Sequence, residues 1–145
     1  MTRKVVAATK QERCDRLEAT KSKLIYVIDD DGLVRAFLEH ALAPGGYPVE
    51  AFADAPTLIA AAQRRAPALF IIDIRMPETS GEEVVSALRS LPGCETTPIL
   101  VITGSGRLDR VSAAIQAGAQ GFLLKPFSPE QLIGAVHRWL SVDQA

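Results

Sequence analysis

Four segments of the sequence place chemically reactive side chains directly after short apolar runs. The run LIYVI is followed by the acidic segment DDDG (29–32), and the run ALFII is followed by Asp73. Two later runs are followed by Thr103 and by Lys125. Carboxylates that crowd together raise one another's pKa unless a cation lies among them. Oxygen ligands of this kind suit Mg²⁺, which keeps water molecules and shares its coordination shell with a substrate phosphate.

Each segment alone also has an ordinary structural explanation. Aspartates ahead of a helix most often cap it, because their oxygens accept hydrogen bonds from its first N–H groups. The turn TGSG (103–106) matches neither GxGxxG nor the P-loop pattern, and a lysine before a proline is commonly a surface loop residue. The combination of acids, a hydroxyl and an ammonium at four strand ends is what indicates a site.

The apolar runs have the length of strands, and segments with helical spacing of apolar residues separate them. Several runs are too continuously apolar to have a face in water, so the central strands should be covered on both sides. Five β-α units in one chain indicate a parallel sheet with helices on both faces, a doubly wound α/β fold. The predicted strands are 24–28, 48–52, 68–72, 98–102 and 121–124, and the predicted helices are 33–42, 56–65, 84–91, 108–115 and 129–140.

This fold predicts where the reactive residues meet. In open α/β sheets the ligand crevice lies outside the carboxyl ends of the strands, at the point where the strand order reverses. Asp73 follows the third predicted strand, so we expect it to lie in that crevice. The DDDG segment, Thr103 and Lys125 follow other strands and should lie at the same edge.

The composition fits one globular domain. The chain has 145 residues, 48% of them hydrophobic, which is enough to bury a core, and we expect no second domain. Its apolar runs are far below the ~20 residues of a membrane helix, and the N-terminus lacks the apolar region of a secretory signal. The sequence therefore predicts a cytoplasmic protein that does not bind a membrane. Cys14 and Cys94 form no CxxC pair, which argues against a metal or redox site built from them.

The charge is divided unevenly along the chain. Residues 1–23 contain seven basic and three acidic residues, a net charge of +4, whereas residues 24–145 carry a net charge of −5. Because residues 1–23 are largely polar, we predict a flexible basic arm there. A nucleic-acid-binding tail is the alternative, but the three acids interrupt the basic run.

The segment Leu24–Leu140 resembles the receiver domain of two-component response regulators, most closely the nitrogen-fixation type. The segments YVIDDDGLVRAFL, FIIDIRMPETSG, VITGSG and GAQGFLLKPF match the motifs of that family in order and spacing. The resemblance covers 117 of the 145 residues, and residues 1–23 have no counterpart in it. It implies a flavodoxin-like fold with strand order 2-1-3-4-5 and five helices, and a receiver domain over residues 24–143.

The resemblance assigns roles to the acidic residues. Asp73 would be the phosphoacceptor, a carboxylate nucleophile that attacks a phosphoryl group. Asp29, Asp30 and Asp73 would hold Mg²⁺ together with the backbone carbonyl of Arg75. Asp31 lies one position past the usual acidic pair, which makes it a cap for the first helix instead.

The resemblance also assigns roles at the later strands. Lys125 would place a positive charge on the phosphoryl group, and the Thr103 hydroxyl would bond to that group after transfer. Pro126 would follow Lys125 through a cis peptide bond. Ser105 would influence the lifetime of the phosphorylated state. Phe122 would fill the space that Thr103 leaves on moving, although an aromatic residue in an apolar strand is also explained as core.

The function implied is a phosphorylation-controlled switch that receives its phosphoryl group from a histidine kinase or a histidine phosphotransfer protein. Its own chemistry would be limited to self-phosphorylation and self-dephosphorylation. The output would be a protein contact on the face of the fourth helix, fifth strand and fifth helix, and homodimerisation is left open. The negative charge of residues 24–145 disfavours direct nucleic-acid binding. The residues expected on the output face are 107–116, Phe122 and 130–139.

Two other functions are compatible with this kind of fold. A Mg²⁺-dependent phosphatase of the haloacid-dehalogenase kind also forms an aspartyl phosphate, but its DxDxT motif has an acid where this sequence has Arg75. A flavin-binding protein would need phosphate-cradling loops in place of the acids. The phosphatase is therefore the alternative to the switch.

Overall fold

The computed structural model describes residues 23–74, 80–104 and 108–143. Strands and helices alternate, and each strand begins within one residue of its predicted position. Apart from Lys23, the arm predicted for residues 1–23 lies outside the described residues. Within the described ranges, no helix is both long enough and apolar enough to cross a membrane. The elements are β1 (Ile25–Ile28), α1 (Gly32–Leu42), β2 (Val49–Phe52), α2 (Ala55–Arg64), β3 (Leu69–Asp73), α3 (Gly81–Arg89), β4 (Ile99–Thr103), α4 (Leu108–Ala117), β5 (Gly121–Leu124) and α5 (Pro129–Asp143), with a short 3₁₀ helix at Ala43–Gly45.

The five strands form one parallel sheet in the order β2-β1-β3-β4-β5, which confirms the predicted fold and strand order. The chain moves from β1 to β2 on one side and then to β3 on the other side of β1, so the order reverses between β1 and β3. Ile28 is in register with Ile72. The residues that follow them, Asp29 and Asp73, therefore lie at adjacent strand ends on the carboxyl edge of the sheet, where open α/β sheets bind ligands.

Helices cover both faces of the sheet. Side chains alternate between the faces along β3, so that Phe70 and Ile72 join one core while Leu69 and Ile71 join the other. Helices α2, α3 and α4 pack on the first core, and α1 and α5 pack on the second. Strands β1 and β3 are buried along their whole length, which gives the acids at their ends a rigid support. The helical residues include Leu58, Val85, Leu88 and Ala114 in the first core, and Leu38, Leu42, Leu132 and Val136 in the second.

Side-chain caps fix where three of the helices begin. Asp31 accepts a hydrogen bond from the N–H of Leu33 at 2.9 Å, which confirms the prediction that it caps the first helix. Asp54 caps α2 in the same way, and Ser80 forms a capping box with Glu83 at α3. Because α1 begins directly after the acidic pair, its cap also fixes the turn that carries Asp29 and Asp30.

Helix α3 begins against the end of β3. The N–H of Gly81 donates to the Ile74 carbonyl at 3.4 Å, and a Cβ on Gly81 would lie 2.8 Å from the Ile74 Cα. That separation is shorter than real contacts, so only glycine lets the helix approach the strand so closely. Since Ile74 follows Asp73, this contact holds the backbone beside the third acid.

Arg89, at the C-terminal end of α3, lies at the opposite, amino edge of the sheet. Its guanidinium donates to the carbonyls of Cys94, Thr97 and Gly118 and to the side-chain oxygen of Gln120, at distances of 2.6 to 3.1 Å. Burial lowers the pKa of the Arg89 guanidinium, and these hydrogen bonds replace the water that it loses. Arg89 therefore ties α3 to the segments that precede β4 and β5.

Candidate functional site

Three carboxylates meet at the carboxyl edge of the sheet. Asp29 follows β1, Asp30 comes next in the chain, and Asp73 is the last residue of β3. One oxygen of each carboxylate lies within 4.8 Å of the others. Asp29 and Asp73 are buried, whereas Asp30 is exposed. The cluster is therefore supported by the sheet and reachable from solvent on the Asp30 side.

Asp29 is held in place by three hydrogen bonds. Its N–H donates to the carbonyl of Phe52 (3.1 Å), its carbonyl accepts from Nη1 of Arg35 (2.7 Å), and its Oδ1 accepts from the N–H of Asp31 (2.9 Å). The other carboxylate oxygen, Oδ2, is buried and makes no hydrogen bond within the described part of the chain. This oxygen lies 3.9 Å from Nζ of Lys125.

The surroundings of Asp29 favour its neutral form. Burial raises the pKa of Asp29 to about 7 from an ordinary value of 3.8, and the negative charge of Asp73 adds to the effect. The hydrogen bond from the Asp31 N–H and the charge of Lys125 act in the opposite direction without cancelling the rise. A divalent cation among the three carboxylates would favour the ionised form again.

The residues present fit Mg²⁺. This ion takes oxygen ligands, accepts one or two protein carboxylates and keeps several waters. Carboxylates line the cluster on the side that faces the sheet, and solvent reaches it from the opposite side. A buried carboxylate oxygen without a donor is costly, and Oδ2 of Asp29 is such an atom. The carbonyl of Arg75, predicted as a further ligand, lies outside the described residues.

Thr103 and Lys125 bring a hydroxyl and an ammonium to the same edge. Thr103 ends β4, is buried, and donates its hydroxyl to the Gly104 carbonyl at 3.2 Å. The N–H of Lys125 donates to the Thr103 carbonyl at 2.7 Å, which ties the end of β5 to the end of β4. The Lys125–Pro126 peptide bond is cis. Lys125 thus begins next to Thr103 and extends its ammonium toward Asp29.

Phe122 lies on β5 and is 43% exposed. The alternative explanation of Phe122 as a core residue is therefore wrong, because β5 is an edge strand whose residues alternate between half-buried and exposed. Phe122 is in register with Val101, and Leu124 is in register with Thr103. Phe122 therefore lies two residues closer to the amino edge of the sheet than Thr103 does. Ser105 lies outside the described residues, so its role stays a prediction.

Arg35 is a residue of this site that the sequence alone does not single out. Its guanidinium reaches the Asp29 carbonyl from the first turns of α1. In the sequence it is one of several arginines on helices, and no spacing rule distinguishes it. The one available signal is its place shortly after the DDDG segment, on the helix that begins there.

The sequence and the fold both match known proteins. Residues 25–137 match the family model of the response regulator receiver domain. The response regulator protein TodT of Pseudomonas putida F1 is 37% identical over 122 residues, which are 84% of this chain and 53% of TodT. The chain thus spans about half the length of TodT and of the response regulator protein TmoT of Ectopseudomonas mendocina, to which it is also similar.

Solved structures agree with this relationship. The chemotaxis protein CheY4 of Vibrio cholerae is 34% identical, with a TM-score of 0.75 over 79% of this chain and 96% of that protein. The receiver domain of the sensor histidine kinase PA1611 of Pseudomonas aeruginosa, which has a magnesium ion in its active site cleft, shares the fold at 24% identity, with a TM-score of 0.75 over 81% of this chain and 97% of that domain. With a family model that covers most of its length and relatives above 30% identity, the chain belongs to the response regulator receiver domain family.

Proposed function

We propose that Asp73 is the phosphoacceptor of a phosphorylation-controlled signalling switch, and that a histidine kinase or a histidine phosphotransfer protein supplies the phosphoryl group. An oxygen of Asp73 attacks the phosphorus of a phosphohistidine, the P–N bond breaks, and the imidazole nitrogen takes up a proton. The observation that carries this proposal is the buried Asp73 carboxylate at the end of a central strand, within 4.8 Å of two further acids. Its fixed position favours in-line attack, because phosphoryl transfer depends mainly on positioning and charge neutralisation.

Asp29, Asp30 and Asp73 would hold Mg²⁺, with the backbone carbonyl of Arg75 as a further ligand. When bound, the ion supplies positive charge that neutralises the phosphoryl oxygens. The crowding of the acids and the buried Oδ2 of Asp29 support this assignment. The exposed Asp30 leaves a side from which a phosphoryl donor can approach.

Lys125 and Thr103 stabilise the transferred group. The Lys125 ammonium lies 3.9 Å from Oδ2 of Asp29, within the acidic cluster, and bonds to a phosphoryl oxygen carried by Asp73. The Thr103 hydroxyl leaves the Gly104 carbonyl and donates to the same group. Loss of that hydrogen bond to Gly104 couples phosphorylation to a movement at the end of β4.

The signal leaves through the face of α4, β5 and α5 as a contact with a protein. Phe122 and Trp139 line a groove of about 560 Å³ between β5 and α5, next to Gly121. A Cβ on Gly121 would lie 2.8 Å from the Trp139 ring, so the indole packs directly on the strand. A movement of Thr103 changes the end of the neighbouring β4 and biases the position of Phe122 in this groove.

The phosphorylated state ends by hydrolysis, which the domain carries out on itself. Arg75 and Ser105 lie two positions past Asp73 and Thr103, and they set how readily water reaches the phosphoryl group. The domain turns over no other phosphate ester. This point separates it from a phosphatase of the DxDxT kind, whose second acid is replaced here by Arg75.

Intact mass spectrometry tests the assignment. The purified protein is incubated with acetyl phosphate and Mg²⁺, and the wild type should gain the mass of one phosphoryl group while Asp73→Asn gains none. Asp54→Asn is the matched control, because Asp54 lies exposed after β2 at the same edge and asparagine caps a helix as well as aspartate. An Asp73→Asn protein that gains the same mass as the wild type would show that the acceptor is another residue. Turnover of p-nitrophenyl phosphate above background would favour the phosphatase.

A further inference from the structure

We propose that Arg35 is a positioning residue for this site, because its guanidinium holds the carbonyl of Asp29 and so fixes the carboxylate that faces the cation. The inference rests on the proposed function, in which Asp29 is a ligand for Mg²⁺. It adds a side chain that binds neither the ion nor the phosphoryl group and that acts through its hydrogen bond to Asp29.

Three of the four hydrogen-bonding groups of Asp29 make hydrogen bonds within the described residues. Its N–H is bonded to the carbonyl of Phe52 and its Oδ1 to the N–H of Asp31, both of which are backbone groups. Its carbonyl is bonded to the Arg35 side chain. The remaining oxygen, Oδ2, is buried and has no hydrogen bond within the described residues. Of these three hydrogen bonds, only the one from Arg35 comes from a side chain, whereas Lys125 and Asp73 act on the carboxylate and not on the backbone of Asp29.

The geometry makes this restraint a strong one. The distance from Nη1 of Arg35 to the Asp29 carbonyl is 2.7 Å, in the short range of hydrogen bonds that carry a formal charge. Arg35 is half-buried, so the bond is less exposed to competing water. Its side chain passes beside Gly32, where a Cβ would lie 3.3 Å from Nη2, and therefore folds back over the start of α1.

The contact joins two elements across the acidic turn. The N–H of Arg35 donates to the Asp31 carbonyl in the first turn of α1, while its guanidinium bonds to the residue that follows β1. Rotation of the Asp29 peptide would break this bond. Arg35 thus limits the motion of the turn that carries Asp29 and Asp30. Hydrogen-bonding partners behind metal ligands typically change metal affinity about 10-fold to 100-fold when they are removed.

Calorimetric titration of the full chain with MgCl₂ alone tests this role. We expect Arg35→Gln to bind Mg²⁺ about tenfold more weakly than the wild type. Arg64→Gln, which removes the same charge from an exposed position at the end of α2, should bind as the wild type does. Arg35→Lys keeps the charge but lacks the planar guanidinium, and its affinity should also fall. The amide of Asp31, which reports the carboxylate of Asp29, should exchange its hydrogen faster in metal-free Arg35→Gln than in metal-free wild type.

The possible results separate this inference from the proposed function. Equal Mg²⁺ affinity in Arg35→Gln and Arg64→Gln would overturn the positioning role, as would wild-type affinity in Arg35→Lys. A fall in affinity with unchanged exchange of the Asp31 amide would also overturn it, because Asp29 would then be unaltered. If the wild type itself bound no Mg²⁺, the proposed metal site would fail together with this inference. Failure of Asp73→Asn to lose phosphorylation would leave the role of Arg35 in Mg²⁺ binding unaffected.

Discussion

Each edge of the sheet holds a charged side chain away from full contact with water, half-buried in Arg89 and buried in Asp29, and the two are bonded in opposite ways. At the amino edge, the Arg89 guanidinium donates five hydrogen bonds to four oxygens, so that every N–H of the group is used. At the carboxyl edge, Asp29 keeps a buried oxygen that has no hydrogen bond within the described residues, beside two further carboxylates. The protein satisfies the first charge with hydrogen bonds. For the second it supplies only the Lys125 ammonium, 3.9 Å from Oδ2 of Asp29, and oxygens remain for a cation to bind.

This contrast indicates that the acidic cluster at the carboxyl edge, and not the Arg89 contacts, takes part in function. A half-buried charge such as Arg89, with all its hydrogen bonds made, is a structural element, and its removal destabilises the fold. At the carboxyl edge, burial raises the pKa of Asp29 and the acids repel one another. This acidic cluster therefore destabilises the fold when no cation is bound. Binding of a cation offsets that cost. The second cluster also lies where the strand order reverses, which is the usual place for a ligand in this architecture.

Replacement of Arg89 should cause the largest loss of stability. Arg89→Met keeps much of the side-chain volume but removes the guanidinium that donates to the carbonyls of Cys94, Thr97 and Gly118, and a buried polar group without a partner costs about 1–3 kcal/mol. We expect the free energy of unfolding in urea to fall by at least about 3 kcal/mol. Arg64→Met, at an exposed position, is the control. Wild-type stability in Arg89→Met would remove the contrast between the two edges.

Mg²⁺ should stabilise the protein by a somewhat smaller amount, through the carboxyl edge. At 100 times its dissociation constant, the ion should raise the free energy of unfolding by about 2.7 kcal/mol. Asp30→Asn relieves repulsion among the acids, so its melting temperature without metal should equal or exceed that of the wild type. The same variant should lose the rise on addition of Mg²⁺, whereas Asp54→Asn should keep it. A full Mg²⁺ response in Asp30→Asn would refute the site.

The pH dependence of stability without metal tests the buried carboxylate of Asp29 directly. The pKa of Asp29 is about 7 in the folded protein and 3.8 when unperturbed, so the folded state holds its proton more tightly. Its contribution to stability is therefore complete below pH 4 and is lost as the pH rises to about 7. In EDTA, the stability of the wild type relative to Asp29→Asn should fall over this interval by at least about 1.4 kcal/mol, the value of one pKa unit. Urea unfolding at several pH values measures this difference, and a difference that stays constant with pH would contradict a raised pKa for the buried Asp29.

Much of this structure could be predicted from the sequence because the signals are local. The apolar runs that became strands, the helical spacing between them and the cap formed by Asp31 each depend on residues close together in the chain. The convergence of Asp29, Asp30 and Asp73 then follows, since the carboxyl ends of parallel strands share one edge.

The contacts of the arginines could not be predicted in this way. The Arg89 guanidinium bonds to Gly118 and Gln120, which lie 29 and 31 positions further along the chain, so the acceptors exist only once the sheet has formed. A helical pattern shows where the Cα of Arg35 lies but not where the end of its long side chain goes. The exposure of Phe122 likewise depends on the place of β5 at the edge of the sheet, which an apolar run does not reveal.

The most direct test of the central claim is to locate the phosphoryl group. The protein is phosphorylated with acetyl phosphate and Mg²⁺ and reduced with borohydride, which converts an aspartyl phosphate into homoserine, and its peptides are then sequenced by tandem mass spectrometry. We predict homoserine at position 73 alone, and none when Mg²⁺ is replaced by EDTA. Homoserine at position 29 or 30, or its formation at position 73 in the same yield without any divalent ion, would contradict the account.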